Sequence, residues 1–543
     1  MMLGTCAQIR ASFRSIELKK RTSARYNKRA ENKNITTLMT SSSSSSSSSS
    51  FEIDYELHKE NRERLNEALF LKSIKKTNNR KEIVLLQAGK QMQRYSSDNE
   101  PLFRQESYFH WLFGCKESDC FGSIDIGPNG TKKTVLFVPR IPKEFVVWMG
   151  EPMSNSEIAK KYLVDECKFV DELELYLLNE AKEGGIVLHL MSGRNTDSGS
   201  EISKAEVPES VLGMNDVEIR TDVLFEEITY LRTIKTKREQ EVLAFASRIS
   251  SEAHVEAIKS VKPGTMEYQL EAEFLYQIYK RGGLRFASYP SICASGKNAA
   301  VLHYGHSGAP NDKECKAGEL ILLDMGGEFH CYCADITQTV PVNGKFTTDQ
   351  KILYNGVLRA HKDVIKAIKP GVIWTDLHLL AERRILEMLK SLKIINDNST
   401  IEEMLEYRVC AVFMPHGLGH LLGIDTHDVG GYGLKNSNYR ERILKPGLKS
   451  CRTAKMLEEN NVMTVEPGCY FVDALIDDVN MDEKVKKCIN FETINQKFRG
   501  FGGVRIEDNV VVTSNGCISW TNVPRETEDI EKVMNGTLNW YKM

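Results

Sequence analysis

Long apolar runs are missing from this 543-residue chain. With no stretch of about 18 consecutive apolar residues, no segment is expected to cross a bilayer as a helix, and no membrane partner is expected. Charge of one sign is missing as well: 72 Lys and Arg face 74 Asp and Glu, a formal net charge of −2. The basic residues are not gathered in the part that reads as folded, so no nucleic-acid footprint is expected. A disulfide framework is absent too. Thirteen cysteines, an odd number at irregular spacings without a secretory signal, predict reduced thiols in an intracellular, cytoplasmic setting. Cys331 and Cys333 form a C-x-C pair with no second pair nearby, which excludes a tetrahedral sulfur site and leaves them as small fillers on one strand face.

What is present is enough sequence for two or three domains with proper cores. Residues 1–51 read as a disordered tail, first basic and then Ser-rich, because Ser41 to Ser50 is a homopolymer that cannot bury a core. Its Arg- and Ser-rich, acid-poor start is also the composition of a mitochondrial transit peptide, and Met39 could serve as an internal start. Residues 52–235 read as a mixed α/β domain. Helical periodicity runs from Asp54 to Lys72, and IVLLQ, FGSIDI and TVLFVPR follow as strands. The aromatic-rich FRQESYFHWLFG, residues 103–114, is expected to be core, while Trp148 in FVVWMG falls in a loop. No metal or nucleophile constellation is visible in this half.

Residues 236–543 read as a catalytic domain built twice over. A helix over Lys237 to Ser260 is stopped by Lys262-Pro263-Gly264, and Thr265 is placed to cap a second helix reaching Gly283. The same grammar returns 107 residues later: a helix over Thr348 to Ala367, a stop at Lys369-Pro370-Gly371, and a helix from Thr375 or Asp376 to Leu392. Each helix pair precedes β-rich sequence carrying acids. In the first, Glu319 to Thr339 reads as a hairpin turning at Gly326-Gly327, which puts Asp324 and Asp335 on adjacent strands. Two carboxylates among Leu, Ile and Phe would repel and lose solvation unless a cation holds them or one is protonated. His420, Glu466 and Glu507 add ligands of the same hard type, and each acid ends or interrupts a short apolar run, where a sheet presents side chains to a shared pocket. Taken singly, each of these residues has an ordinary use as a turn, cap or core residue; the ensemble points to a pair of divalent ions.

At these positions the chain resembles the proline-specific metallopeptidases of the pita-bread fold, related to methionine aminopeptidase and aminopeptidase P. The signature His416-Gly417-Leu418-Gly419-His420-Leu421-Leu422-Gly423-Ile424-Asp425-Thr426-His427-Asp428 carries it with one departure, Thr426 for the family's Val or Ile, and LLDMGG, EPGCYF, FRGFGGVRIED, FRQESYFHW and RNTDSGS extend it over residues 52–543. The resemblance implies an α+β chain: a C-terminal pita-bread catalytic domain, with duplicated helix pair and hairpins, behind an aminopeptidase P-like N-terminal domain. It implies metal ligation by Asp324, Asp335, His420, Glu466 and Glu507, with Glu466 also moving the proton. It implies substrate contacts at His303, His427 and Arg452, the last gripping a free carboxylate, and supporting roles for Arg505, Tyr289 and His416. Trp148 resembles a tryptophan that reaches a neighbouring subunit's active site, so a homodimer is expected. The implied reaction is hydrolysis of Xaa-Pro dipeptides by a hydroxide bridging two Mn²⁺, with Co²⁺, Zn²⁺ or Fe²⁺ able to substitute. Two alternatives stay open: an Xaa-Pro aminopeptidase acting on longer peptides, and a metal-free pita-bread module that only binds.

Overall fold

A computed structural model describes residues 51–73, 80–435, 438–478 and 480–542. The expected basic and Ser-rich tail, with its alternative organelle address and Met39 start, lies outside them, except for Phe51. The first helix, Glu56–Ser73, feeds a mixed sheet of six strands: β1 (Lys81–Gln87), β2 (Phe121–Ile126), β3 (Lys132–Val138), β4 (Glu166–Phe169), β5 (Ile186–His189) and β6 (Val217–Arg220), in the order β4-β3-β2-β1-β5-β6. β1 to β3 form an antiparallel meander, while β4, β5 and β6 add in parallel. Their near-continuous apolar runs are explained by burial on both faces. Val84, Leu86, Ile124, Leu136 and Val138 point to one side, against Leu57, Leu65, Phe109 and Phe113. Ile83, Leu85, Val135, Phe137 and Leu188 point to the other, against Leu173 and Leu177. The period-2 alternation of a strand thus sorts one hydrophobic run into two cores. The aromatic segment is core as expected: Phe109, Trp111 and Phe113 are fully buried in the helix Ser107–Phe113.

The C-terminal half follows the duplicated plan. The helix Lys237–Ser260 starts on a capping box in which Thr236 accepts from the Glu239 N–H and the Glu239 carboxylate accepts from the Thr236 N–H. Its counterpart Thr348–Ala367 starts on the same device with Thr347 and Gln350. Both Pro-Gly stops work alike. Gly264 and Gly371 have φ of +89° and +86°, and their N–H groups donate to Cys315 and Leu457 carbonyls, each at 2.9 Å. The second helix of each pair begins slightly off the expected residue, at Glu267 rather than after a Thr265 cap, and at Trp374 rather than Thr375 or Asp376.

Between and behind these helices lie β7 (Phe286–Ala287), β8 (Ile292–Ser295), β9 (Leu320–Asp324), β10 (Gly327–Phe329), β11 (Tyr332–Cys333), β12 (Thr337–Pro341), β13 (Val462–Val465), β14 (Gly468–Tyr470), β15 (Gly503–Arg505), β16 (Asp508–Val512) and β17 (Cys517–Ser519). The expected simple hairpin is corrected here. β9 returns as β12, with Asp324 opposite Thr337, but the chain between them makes a smaller hairpin of its own, β10–β11, turning at His330-Cys331 instead of Gly326-Gly327. Asp335 sits in the break between β11 and β12, not within a returning strand. Gly326 is required for this excursion, since a Cβ there would lie 1.7 Å from the Ala334 carbonyl oxygen. A bridge between Thr337 and Glu507 then brings β12 beside the strand β16 of the second half.

Candidate metal centre and substrate cavity

The five expected ligands are delivered by rigid ends. Asp324 closes β9 and Asp335 precedes β12; Glu466 follows β13, and Glu507 lies between β15 and β16. His420 comes from an irregular segment pinned to β13, where its N–H donates to the Thr464 hydroxyl at 3.0 Å and its carbonyl accepts from the Thr464 N–H at 2.9 Å. Ligand atoms of Asp335, His420 and Glu507 lie within 4.8 Å of one another, all three side chains buried. The Tyr289 hydroxyl, 2.5 Å from Asp324 Oδ1 and 2.6 Å from Asp335 Oδ1, joins Asp324 to that group. Glu466 Oε1 lies 3.6 Å from the same His420 Nε2 that is 3.4 Å from Asp335 Oδ2. His420 Nδ1 donates to the Leu421 carbonyl at 3.0 Å, which leaves Nε2 facing the acids with its lone pair.

The electrostatics fit a cationic guest. Three buried carboxylates, Asp324, Asp335 and Glu507, and the partly buried Glu466 share one guanidinium, that of Arg505, which contacts Asp324 Oδ2 at 2.5 Å. Burial, reinforced by the other carboxylates, pushes Glu507 well above its usual range. Burial likewise raises Asp324 and lifts Glu466 to about 7. Burial also acts on Asp335, but its contact with His420 outweighs it and holds the group low. A donor set of four hard oxygen ligands and one imidazole, with more negative charge than the protein neutralises, is suited to divalent ions.

Around this cluster lies a cavity of about 890 Å³ whose wall includes Tyr289, His303, His416, His427, Arg452 and Arg505 together with all four acids and His420. Of the residues singled out from sequence, only Trp148 lies away from it; it is exposed in a short helical turn, Val146–Met149. The His427 ring meets that of His420 edge-on at 4.5 Å, and burial, with His420 beside it, pushes its imidazole down to about 2, so it is neutral. Burial, with Arg505 nearby, holds His416 at about 3; its Nε2 is 3.0 Å from the Tyr470 hydroxyl. Burial also lowers His303, with Arg505 and Arg452 adding to the effect.

Sequence reasoning missed the residues that hold these in place. Tyr470 also accepts from Arg505 at 2.8 Å, and the Thr337 hydroxyl bridges Arg505 and Glu507 at 3.2 and 2.7 Å. In the same cavity wall Asp197 faces Arg452 at 3.3 Å and Arg442 at 3.6 Å. Asp197 stands inside RNTDSGS, a segment legible as family-like but carrying no ligand pattern of its own.

Comparison with known proteins agrees with this geometry. The profile of Metallopeptidase family M24 matches residues 241–514, and that of the Aminopeptidase P N-terminal domain matches residues 58–188. The Xaa-Pro dipeptidase of Homo sapiens is 48% identical over 454 residues, 84% of this chain and 89% of its own length. A probable Xaa-Pro aminopeptidase of Sordaria macrospora is 37% identical over 439 residues, 81% of this chain and 88% of its own. Among solved structures, Zn-substituted aminopeptidase P of Escherichia coli, in complex with product, superposes with a TM-score of 0.70 at 26% identity, covering 90% of this chain and all of the other. With one profile spanning half the sequence and relatives this similar over four-fifths of it, the chain belongs to metallopeptidase family M24.

Proposed function

We propose that this protein is an Xaa-Pro dipeptidase, cutting dipeptides whose second residue is proline at a centre of two divalent ions held by Asp324, Asp335, His420, Glu466 and Glu507. The observation that carries the reading is one cavity with the acid cluster at one end and Arg452, Arg442 and Lys449 in its wall. Mn²⁺ is the natural occupant for four carboxylates and one imidazole, with Co²⁺, Zn²⁺ or Fe²⁺ as substitutes. Such ions supply a solvent nucleophile acidified to act at neutral pH and a Lewis acid for the scissile carbonyl.

The residues of the chain do the rest. Tyr289 and Arg505 fix the orientation of Asp324, and Thr337 fixes Glu507. Glu466, lifted by burial to about 7, is poised to take a proton from the attacking solvent and pass it to the departing prolyl nitrogen. Neutral His427 and His303 have ring N–H groups to offer the substrate. An Xaa-Pro bond is a tertiary amide with no N–H, so it excludes proteases that grip that group, but nothing in this cavity demands it. Asp197 balances only one of the two arginines beside it, which leaves positive charge to hold the proline carboxylate.

The domain division we adopt falls between residues 235 and 236, supported by the helix Leu224–Thr233 ending just before the Thr236 cap. Unpaired thiols at the described cysteines suit a reducing compartment such as the cytoplasm. A homodimer is supported by exposed Val147, Trp148 and Met149. Hydrolysis by the Mn²⁺-loaded full chain, comparing Gly-Pro with Gly-Pro-Ala, tests the function. Gly-Pro is expected to be cleaved and the tripeptide to be poor; a faster tripeptide would make the protein an aminopeptidase.

A further inference from the structure

A second group of metal-binding side chains lies outside the cavity: His58, His110 and His330 each place a ring nitrogen within 4.8 Å of the others. They come from three elements. His58 is in the helix Glu56–Ser73, His110 in the helix Ser107–Phe113, and His330 at the β10–β11 turn between the two active-site aspartates. The rings are packed at 4.5 to 5.2 Å between centroids, and His58 and His330 bring their Nε2 atoms to 2.9 Å.

Their hydrogen bonds fix which nitrogens are free. His58 Nδ1 donates to the Trp111 carbonyl at 3.1 Å, so its Nε2 accepts from His330 Nε2 at 2.9 Å, and a cation taking that proton's place would send it to the bare His330 Nδ1. His110 Nε2 donates to the His330 carbonyl at 3.0 Å, leaving Nδ1 bare, and that atom is buried without a partner. His330 Nδ1 is also buried without a partner. Anchoring one imidazole nitrogen to a carbonyl while the other stays open is the arrangement of a metal-ligating histidine. Without a cation, the lone pairs of His110 Nδ1 and His330 Nδ1 stay desolvated and unpaired. Burial pushes His58 down to about 3 and the other two well below their ordinary value, so all three are neutral ligands.

The backbone adds a further cost to the same place. His330 and Cys331 both adopt left-handed conformations, φ +49° and +63°, in a two-residue turn of the kind that favours Asn-Gly. His58 packs flat against Gly114, where a Cβ would fall 2.2 Å from its ring.

We propose that His58, His110 and His330 bind one borderline divalent cation, Zn²⁺ in the first instance, as a third metal site that ties the active-site hairpin to the two N-terminal helices. Tetrahedral Zn²⁺ with bonds of about 2.0–2.1 Å needs nitrogens about 3.3 Å apart, within the spread of 2.9 to 4.8 Å found here. His330 is only half-buried, so a water can complete the fourth position. The ligand set is nitrogen only, unlike the oxygen-rich centre, and so it selects Zn²⁺ over Mn²⁺.

The test is metal analysis of the full chain after equilibrium dialysis against buffered Zn²⁺, for wild type, His330→Asn and His58→Gln. Asn suits the left-handed turn, so H330N keeps the hairpin while losing the ligand. The expected result is three ions per chain in wild type and two in each variant. Zn²⁺ added to Mn²⁺-saturated protein should also raise the melting temperature of wild type more than that of H330N. Two ions in wild type, an equal count in wild type and H330N, or an equal thermal shift in both would overturn the site. None of these readings depends on peptidase activity, so a failure here leaves the dipeptidase reading intact.

Discussion

At the scale of single residues, the cavity is organised by two arginines with opposite duties. Arg505 is fully committed: its three nitrogens face Asp324, Tyr470 and Thr337, and burial leaves it no solvent to turn to. It therefore sets the geometry of an acid and a tyrosine. Arg452 is only loosely held, with one contact to Asp197 at 3.3 Å and a side chain 29% exposed. A guanidinium with free donors beside a cavity can grip a carboxylate as a bidentate fork. Arg452→Ala should accordingly raise KM for Gly-Pro by about 10- to 100-fold, the equivalent of about 1.4–2.8 kcal/mol of lost ground-state binding, and leave bound metal unchanged. Steady-state kinetics paired with metal analysis reads both. An unchanged KM would remove Arg452 from substrate binding and leave it as the partner of Asp197.

At the scale of elements, the signature segment carrying His420 and His427 has no regular structure of its own, so its shape must come from what it is tied to. Asp428 accepts from Arg232 at 2.7 Å and Lys235 at 2.6 Å, and Asp425 accepts from Arg232 and from Ser107 at 2.8 and 2.7 Å. These partners lie in the helix Leu224–Thr233, just after it, and in the helix Ser107–Phe113. Arg232, Lys235 and Asp428 are almost wholly buried, so Asp428→Ala would strand Lys235 and leave Arg232 with Asp425 alone, and is expected to cost about 3–5 kcal/mol in denaturant unfolding. Lys455, on the strand-like approach to β13, gives a pH-dependent counterpart. Burial pushes its ammonium down to about 8 from 10.5, despite Glu458 at 3.0 Å. Between those values the unfolded chain binds the extra proton, so stability rises with pH there. The stability of wild type relative to Lys455→Met should therefore climb from about pH 8 to 10.5; a flat difference would mean that Lys455 keeps an ordinary pKa. Elements of this kind were legible where a local rule decides them. The helices Lys237–Ser260 and Thr348–Ala367 came out to the residue because Thr caps and Pro-Gly stops are written in the chain. The β9–β12 hairpin did not, because the Gly pair that reads as a turn is used for a close crossing, and the actual turn is His-Cys. The four acids of the candidate centre stood out since each ends or interrupts an apolar run, and His420 through the signature alone. Tyr470, Thr337 and Asp197 could not, because their roles exist only through contacts between distant strands, and the histidine cluster joins residues 272 apart.

At the scale of the whole molecule, the N-terminal half does more than precede the catalytic one. Thr196 and Asp197 form part of the cavity wall, and Arg104 reaches across to Glu328 at 3.1 Å and to the Ile424 carbonyl at 2.6 Å. A half that lines part of the cavity also positions whatever lies on its own surface. That surface carries Val147, Trp148 and Met149 at 83%, 72% and 69% exposure, three consecutive large apolar side chains that a soluble monomer has no reason to present together. If the proposed homodimer brings Trp148 to a neighbouring subunit's cavity, association and catalysis should fall together. Sedimentation of wild type is expected to give twice the chain mass. Val147→Asp combined with Trp148→Asp should give the monomer, because two carboxylates buried in a symmetric contact appear four times across it and repel. The same variant should bind its metal normally and lose activity towards Gly-Pro. A monomeric wild type would exclude the dimer, and a monomeric variant with full activity would show that each cavity is complete within one chain.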